Sequence, residues 1–392
     1  MFLELLNSTK NKNNYDIINI GDVIMYIKVD YNNCLTNFSC SIRKYFGLEV
    51  RHKTIKVVDE LLNEKQPKNV VVILFDGMGS LIIDEILKND DFFIKNKIGN
   101  ITSVFPSTTT AATTSFLTGL NPNEHGWLGW NMYIKPLDKT MTLFTGEEKV
   151  SKLKCDEFKE IKKNLYSYNT VDEINDNGIY KAIKVLPFGD NKYENLDQML
   201  NIIESETNKD GKKFIYAYDD EPDGTMHDFG FNSTEVKKLI IERNNKVEKL
   251  IEKLSDTMVF VIADHGHLNV DMIHLENDYP ELYNMLERTT SIECRAVSFK
   301  VKEGYKNEFK NTFNKYLGND FNLLTKEQVL ENHIFGEGNN NIYFEDTIGD
   351  FIAIASESNK AILTKGDSDM ISMHGGNSDR EIYIPLIAYY KD

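Results

Sequence analysis

Three apolar segments of the chain have the length and composition of strands that are buried on both faces of a sheet. Residues 70–75, 214–218 and 258–263 are nearly continuous runs of β-branched, aromatic and other apolar side chains. Such runs are typical of parallel strands, because helices cover both faces of a parallel sheet. Residues 234–254 carry apolar side chains at helical spacing. Strands alternating with helices predict an α/β fold with a doubly wound, mostly parallel sheet and helices on both faces.

The alternation of strands and helices is interrupted in the last third of the chain. Residues 294–302 alternate like a half-buried strand, residues 307–316 resemble an amphipathic helix, and residues 351–354 are a short apolar run. We therefore expect a small α+β insertion at residues 275–365. The core is predicted to comprise residues 28–274 and 366–392. Residues 1–27 are predicted to be an N-terminal extension, either unordered or ahead of an alternative start at Met25.

The composition narrows the classes of partner. Sixty-one acidic and 45 basic residues give a formal net charge of −16, which repels a long polyanion and argues against a nucleic-acid polymer as partner. A small phosphate ester can still bind where metal ions reverse the local potential. The sequence has no stretch of 18 apolar residues and no basic, apolar leader, so we expect no membrane partner and a cytoplasmic location. The four cysteines lack CxxC spacing and are expected to be reduced thiols. Composition does not predict the oligomeric state.

Side chains that bind metal ions follow two of the predicted strands. Asp76 comes directly after the first run, and Asp264 and His265 come directly after the third. Open α/β sheets place their active sites at the carboxyl ends of their strands. We therefore expect these side chains to meet at one edge of the sheet.

Two further segments supply ligands of the same kinds. Asp223 and His227 are four residues apart, which brings both side chains to one face of a helical turn, and His374 stands in a Met-His-Gly-Gly segment. Taken singly, each residue has a structural alternative, such as a helix cap, a surface salt bridge or a satisfied core histidine. Their ordered combination predicts a two-metal phosphoryl-transfer site. Carboxylate and imidazole ligands favour Zn²⁺ and also tolerate Mn²⁺.

A run of four hydroxyl residues, 107–110, precedes a predicted helix. These side chains either cap the helix or include a nucleophile at its N-terminus, where the helix dipole favours an incoming phosphate. Sequence reasoning does not choose among the four hydroxyls. His125 is expected to make structural loop contacts, and His267 to lie behind a ligand. Trp127 and Trp130 follow the hydroxyl run and either stack a nucleobase or pack the loop.

These segments together resemble the type I phosphodiesterase/nucleotide pyrophosphatase family of the alkaline phosphatase superfamily. The resemblance spans roughly residues 28–392. It rests on Asp76-Gly77 after a strand, on Phe-Pro-Ser-Thr-Thr at 105–109 and on Thr-Gly-Leu-Asn-Pro-Asn-Glu-His-Gly at 118–126. It implies an alkaline phosphatase-like fold, and an ungapped count back from Thr118 puts the family's nucleophile on Thr109.

The resemblance also implies a division of the ligands between two zinc ions. One ion would be held by Asp223, His227 and His374. The other would be held by a second set of ligands and faced by the nucleophile: Asp76, Asp264, His265 and Thr109. The family has an asparagine that binds a nonbridging oxygen of the substrate. The ungapped position here is Trp130, so Asn131, one residue later, is the candidate for that role.

The implied reaction is hydrolysis of a phosphodiester or nucleotide pyrophosphate through a phosphothreonine intermediate. These motifs contain no basic residue that would clamp a phosphate dianion, which favours a diester over a monoester. Phosphonate hydrolysis and sugar-phosphate phosphatase or mutase chemistry on the same core are alternatives, as is an inactive sensor of metal or nucleotide. The absence of a Cys-x-Pro-x-Arg stretch disfavours a sulfatase.

Overall fold

A computed structural model of the chain describes residues 16–20, 23–165, 169–189 and 192–392. The predicted strands are present with small shifts of their ends. Every residue of Asn69–Phe75 and of Thr257–Ile262 is buried, so helices and loops cover both faces of the sheet there. The apolar runs therefore form the centre of the molecule, as continuous runs do in parallel sheets.

The strands, numbered in chain order, are β1 (Asp16–Ile20), β2 (Val23–Ile27), β3 (Asn69–Phe75), β4 (Lys97–Thr102), β5 (Asn131–Ile134), β6 (Lys139–Thr142), β7 (Glu147–Glu148), β8 (Lys181–Val185), β9 (Lys213–Asp219), β10 (Thr257–Ile262), β11 (Leu268–Asn269), β12 (Asp271–His274), β13 (Ser291–Ile292), β14 (Ala296–Phe299), β15 (Phe321–Thr325), β16 (Phe351–Ala355), β17 (Lys360–Leu363), β18 (Ser372–Met373) and β19 (Tyr383–Lys391).

The α-helices are α1 (Leu35–Tyr45), α2 (Lys56–Lys65), α3 (Ser80–Ile86), α4 (Phe92–Lys95), α5 (Thr109–Thr118), α6 (Pro122–His125), α7 (Asp156–Leu165), α8 (Thr170–Asp176), α9 (Leu196–Thr207), α10 (Asp223–Phe229), α11 (Thr234–Ile251), α12 (Leu275–Asp278), α13 (Pro280–Asn284), α14 (Lys306–Leu317), α15 (Lys326–Glu331), α16 (Phe344–Ile348) and α17 (Asp379–Ile382), with a 3-10 turn at Lys135–Leu137. Within the described ranges no helix combines the length and the apolar character needed to cross a membrane.

The central sheet has the strand order β4-β19-β10-β3-β9-β8. Strands β10, β3, β9 and β8 run parallel to one another, and β19 is antiparallel to both of its neighbours. The predicted α/β class with a mostly parallel sheet is confirmed. The register pairs Leu74 with Ile262 and Phe75 with Asp219, so the carboxyl ends of β3, β9 and β10 lie side by side.

A second, seven-stranded sheet has the order β15-β16-β14-β13-β5-β6-β7. Strands β13 to β16 come from the predicted insertion, whereas β5 to β7 come from residues 131–148. Buried apolar side chains within residues 273–362 form a second, separate core cluster, in which α14 packs on this sheet. The proposed insertion thus shares its sheet with an earlier segment of the chain. Its exact boundaries, 275–365, stay a prediction.

The predicted N-terminal extension is described in part. Strands β1 and β2 pair as an antiparallel hairpin within residues 16–27. Residues 1–15 and 21–22 lie outside the described residues. The boundary at residue 27 therefore stays a prediction.

A buried ion pair joins the second sheet to the central core. Arg295 donates from Nε and Nη2 to the two carboxylate oxygens of Glu381, at 2.7 and 3.0 Å, and both side chains are fully buried. The same carboxylate accepts hydrogen bonds from the backbone N–H groups of Gly376 and Ser378. Burial alone would raise the pKa of Glu381, but the Arg295 guanidinium outweighs that effect and holds the pKa below its usual value. The pair therefore anchors the loop that follows His374.

We expect Arg295→Met to lower the free energy of unfolding by about 3–5 kcal/mol, because it leaves Glu381 as an uncompensated buried charge. Arg380→Met is the matched control: its partner Glu85 is 48% exposed, and the expected loss is about 1 kcal/mol or less. Urea unfolding followed by circular dichroism measures both losses. Equal losses in the two variants would contradict the importance of the buried pair.

Candidate two-metal site

The ends of β3 and β10 bring Asp76 and Asp264 together. Asp76 directly follows β3, and Asp264 lies two residues beyond the end of β10. The N–H of Gly77 donates to Asp264 Oδ1 at 3.1 Å, which ties the two strand ends to each other. Gly77 has φ +72°, a left-handed conformation that side chains rarely adopt. The glycine therefore allows the chain to turn sharply after Asp76, so that its carboxylate remains at the sheet edge.

The hydroxyl of Thr109 lies against one group of predicted ligands. Its Oγ1 is 3.2 Å from Asp76 Oδ1 and 3.1 Å from His265 Nε2. His265 Nε2 is 3.2 Å from Asp76 Oδ1 and 3.7 Å from Asp264 Oδ2. Thr109 is also the first residue of α5, so the N-terminus of a ten-residue helix points at this group. Of the four hydroxyls in the run, Thr109 is the one placed among these ligands; Thr108 Oγ1 donates to Glu293 instead.

Asp223 and His227 lie on α10, where Asp223 Oδ2 is 3.4 Å from His227 Nε2. His374 Nε2 approaches the other oxygen of Asp223 at 3.7 Å. The Nδ1 atoms of His227 and His374 face the carbonyl oxygens of Ser372 and Ser107, at 2.7 and 3.1 Å. These carbonyls hold the proton on Nδ1 and leave each Nε2 free for a metal.

The electrostatics of the site fit bound cations. Burial, reinforced by the charge of Asp223, raises the pKa of Asp76 well above its usual value, and burial next to Asp76 does the same to Asp264. Asp264 Oδ2 is buried and has no hydrogen-bond partner among the described residues. A buried carboxylate oxygen of this kind is costly unless a cation or a donor reaches it. Two groups of ligand atoms, each within 4.8 Å of one another, are suited to hold such cations: Asp223, His227, His267 and His374, and Asp76, Asp223 and His265.

His267 lies closer to these ligands than its sequence position indicated. Its Nε2 is 2.5 Å from Asp223 Oδ1 and its Nδ1 is 3.0 Å from Ser372 Oγ. Burial would raise the pKa of Asp223, but the imidazoles of His227 and His267 hold it well below its usual range. Through this hydrogen bond His267 orients Asp223. His125, in contrast, contacts Ser115 Oγ and the N–H of Trp127, which are the structural loop contacts expected of it.

A cavity of about 240 Å³ opens beside Thr109. One wall is the ligand group at Asp223, and the other is built from the second sheet and the loop before β18. The residues that line it are Thr109, Trp130, Asn131, Thr142, Lys149, Lys152, Asp223, His227, Thr290, Ser291, Ile292, Glu293, Cys294, Ile362, Gly366, Asp367, Ser368, Met370, Met373 and His374. Residues 290–294 and 362, which lie within the predicted insertion, thus form part of the cavity wall.

The two tryptophans in the loop after α6 have different environments. Trp127 is buried and donates from Nε1 to the carbonyl of Leu165, so it packs the loop. Trp130 is 43% exposed and lines the cavity. Asn131 begins β5 and also lines the cavity, with its Oδ1 accepting from Thr142 Oγ1 at 2.8 Å. That bond leaves the amide N–H groups of Asn131 available to an oxygen in the cavity.

Sequence reasoning missed several polar groups that border the site. The hydroxyl of Tyr218 donates to Asp76. Lys149 is buried and pairs with Asp367 at 2.9 Å. Glu293 is buried, and burial raises its pKa to about 7 despite hydrogen bonds from Thr108 and Trp130. Tyr218 ends a predicted strand, a signal that could have found it, whereas Lys149 and Glu293 stand in segments without a recognisable motif.

A model of the type I phosphodiesterase / nucleotide pyrophosphatase family matches residues 70–377. The chain belongs to this family. The matched range includes all of the predicted ligands and Thr109. The assignment makes the protein a member of a family of phosphodiester and pyrophosphate hydrolases, as the motifs predicted. No curated protein matches the sequence.

Solved structures of the same family share the fold. Murine ectonucleotide pyrophosphatase/phosphodiesterase 5 matches with a TM-score of 0.62 at 19% identity, over 82% of this chain and 88% of that one. An inactive variant of the murine protein in complex with AMP matches equally well, over 87% of its chain. The human protein matches with a TM-score of 0.60 at 17% identity, over 82% of this chain and 87% of that one. At these identities the likeness establishes the alkaline phosphatase-like fold.

We expect His374→Ala to lower the metal content from two divalent ions per chain to about one, because the group at Asp223 loses one of its ligands. Atomic absorption of the dialysed protein measures the content. Unchanged stoichiometry would remove His374 from the ligand set.

We expect His267→Gln to retain two ions per chain but to weaken the binding of one of them by about 10–100-fold, the usual cost of losing a residue that orients a ligand. Competition with a fluorescent chelator measures the affinity. A variant that binds only one ion would make His267 a ligand itself rather than a support for Asp223.

Proposed function

We propose that the protein is a two-metal hydrolase that cleaves phosphodiester or nucleotide pyrophosphate bonds through a phosphothreonine intermediate on Thr109. The observation that carries the proposal is the position of the Thr109 hydroxyl. It lies within 3.3 Å of both Asp76 and His265, at the N-terminus of α5 and on the wall of the cavity. Few other functions explain a hydroxyl placed among carboxylate and imidazole ligands in a member of this family.

The chemical step is an in-line displacement at phosphorus. Thr109 Oγ1 forms a bond to phosphorus while the bond to the leaving oxygen breaks on the opposite side, toward the group at Asp223. Asp76 Oδ1 accepts the hydrogen bond of the Thr109 hydroxyl and is a nearby base for its proton. Water then attacks the phosphothreonine, releases the product and restores the hydroxyl. When bound, the two metal ions would activate the attacking hydroxyl and stabilise charge on the departing oxygen.

Two features stabilise the negative charge on the nonbridging oxygens. The free N–H groups in the first turn of α5 follow Thr109 and favour an anion at that position. The amide of Asn131, held through its oxygen by Thr142, offers a donor from the cavity wall. We therefore assign to Asn131 the oxyanion role that the family's asparagine has. Trp130 occupies the ungapped position, but its indole offers a single N–H donor, whereas the amide of Asn131 offers two.

The lining of the cavity favours a diester or pyrophosphate over a monoester. No arginine lines the cavity in the described part of the chain. Lys149 is engaged by Asp367 and by two threonines, and Lys152 donates to the carbonyl of Gly366. A phosphate dianion thus lacks a dedicated cationic clamp. The AMP complex of the murine relative supports a diester or pyrophosphate of a nucleotide as one substrate, because cleavage of such a compound can leave a nucleoside monophosphate. The exposed ring of Trp130 offers a face on which a base can stack.

We also propose zinc as the metal and the cytoplasm as the location, as the sequence predicts. The mixture of carboxylate and imidazole ligands supports zinc and admits manganese. Metal analysis of the protein purified without added metal, and imaging of a tagged chain in its own cells, test these two points.

The decisive experiment compares turnover of three substrates by the zinc-loaded protein: bis-p-nitrophenyl phosphate, thymidine 5′-p-nitrophenyl phosphate and p-nitrophenyl phosphate. We expect either diester to exceed the monoester in kcat/KM. Thr109→Ala should lower kcat roughly a thousandfold or more while the metal content stays at two ions. Thr108→Ala is the matched control, because its hydroxyl faces Glu293 rather than the ligands.

Any other outcome would change the assigned nucleophile, the substrate preference or the type of reaction. Loss of activity in Thr108→Ala with activity retained in Thr109→Ala would move the nucleophile by one residue. A preference for the monoester would overturn the diester proposal. Metal binding without turnover of any of the three would favour phosphonate or sugar-phosphate chemistry, or a sensor.

A further inference from the structure

Glu293 occupies the cavity wall next to the proposed nucleophile. It directly follows β13, is 9% exposed and lines the cavity together with Thr109 and His374. Neither the ligand set nor the proposed mechanism uses this carboxyl group. Glu293 is therefore a buried polar side chain at the site whose function the proposed mechanism does not explain.

The carboxyl group of Glu293 is anchored through one of its oxygens. Thr108 Oγ1 and the N–H of Trp130 both donate to Oε1, each at 2.7 Å. Within the described ranges no donor engages Oε2. The two anchoring bonds come from the residue before Thr109 and from the residue before Asn131. They set the orientation of the carboxyl plane relative to both proposed catalytic groups and leave one oxygen for a ligand.

Close backbone packing keeps Glu293 in this position. A Cβ on Gly129 would lie 2.7 Å from the backbone of Ile292, and a Cβ on Gly375 would lie 2.9 Å from Glu293 Cβ. Glycine at both positions lets the loops on either side approach β13. Ile292 has φ +76°, a left-handed conformation that is costly for a β-branched residue. The surrounding structure therefore enforces the direction in which Glu293 leaves the strand.

If the reaction is an in-line displacement, the cavity wall that carries Glu293 would face only one part of the substrate. The attacking and leaving oxygens lie on the axis from Thr109 to the group at Asp223. The ester group that stays on phosphorus projects sideways from that axis. Glu293 is hydrogen-bonded to the residue preceding Thr109 and is in neither group of candidate ligand atoms, so it is available to this sideways group. Its free oxygen accepts hydrogen bonds, and a carboxylate attracts a donor more strongly when the donor is charged.

We propose that Glu293 is a specificity-determining residue that selects phosphodiesters whose retained ester group carries a hydroxyl or ammonium donor. The proposal rests on the proposed phosphodiesterase function and narrows its substrate class. Asp367, the other carboxylate of this wall, is less suited to the role, because its Oδ2 is held by Lys149 and by the backbone of Thr364. A retained group without a donor would cover the free oxygen of Glu293 without pairing it, and that loss is the source of discrimination.

Two matched pairs of p-nitrophenyl phosphodiesters test the proposal. The first pair has 2-ammonioethyl or propyl as the retained group, and the second has 3-hydroxypropyl or butyl. Each pair differs by one terminal group, and all four release p-nitrophenolate. Assays at about pH 8.5 keep the ammonium charged. We expect the wild-type protein to prefer the donor-bearing member of at least one pair by about tenfold or more in kcat/KM.

Glu293→Gln should bring that ratio close to one, because the amide retains an acceptor for Thr108 and Trp130 but turns an N–H group toward the cavity. The ratio is internal to each preparation and does not depend on the folded fraction. Glu293→Asp withdraws the carboxylate by one methylene and should also lower the ratio, which keeps the test available if the glutamine variant does not fold. Glu308→Gln, an exposed position on α14, should leave the ratio unchanged.

Several results would overturn the proposal. Equal turnover of the members of both pairs by the wild-type protein would leave the phosphodiesterase function standing and remove the specificity. A wild-type preference that survives in both Glu293 variants would assign the recognition to another group. Absence of turnover of all four, with turnover of bis-p-nitrophenyl phosphate or thymidine 5′-p-nitrophenyl phosphate retained, would overturn only the specificity. Absence of turnover of all six diesters by the metal-loaded wild-type protein would refute the proposed function itself.

Discussion

Three carboxylates held close together, two of them buried, are the constraint on which the rest of the site depends. Asp76 and Asp264 follow neighbouring parallel strands, and Asp223 begins a helix just after the third. Burial and a neighbouring carboxylate raise the pKa of each of the first two, because Asp223 lies near Asp76 and Asp76 lies near Asp264. A fold that brings such groups together is stable only if protons, histidines or metal ions compensate them. The histidines and the free oxygen of Asp264 make this sheet edge a candidate site for cations.

The second sheet forms the other wall of the cavity beside this candidate cation site. Strands from residues 131–148 and from the insertion pair in one sheet, and together they carry Asn131, Thr142, Lys149 and Glu293 to the side of Thr109. The ion pair between Arg295 and Glu381 fixes this sheet to the loop that follows His374. The candidate ligands and the cavity lining therefore come from different layers. The ends of the central sheet carry the candidate ligands, and Thr109 lies beside them, whereas the second sheet lines the opposite side of the cavity.

Much of the fold and of the ligand set could be predicted because both depend on local patterns. The run at 70–75 is buried along its whole length, and its residue composition reflects that burial directly. Asp223 and His227 share a face because their spacing matches one helical turn. Register in the sheet then brings Asp76 beside Asp264. The placement of Thr109 among these ligands agrees with the motif count, although the hydroxyl run alone left four candidates open.

The pairings made across long separations could not be predicted in the same way. Glu293 reaches Thr108 across 185 positions, and Lys149 reaches Asp367 in a cavity wall formed by two distant segments. No periodicity or spacing records such contacts, because they depend on how two sheets and their loops pack. His267 shows the difference on a small scale: its nearness to a ligand was visible in the sequence, but its direct bond to Asp223 was not.

The sequence by itself determined the mostly parallel sheet, the family and the set of groups that could hold metal ions, since burial pattern and residue spacing are local properties of the chain. The tertiary structure alone decided how closely the Thr109 hydroxyl approaches those groups, that His267 bonds directly to Asp223 and which side chains line the cavity. Those assignments depend on distances of 3 to 4 Å between residues far apart in the chain. Only packing of the folded layers sets such distances.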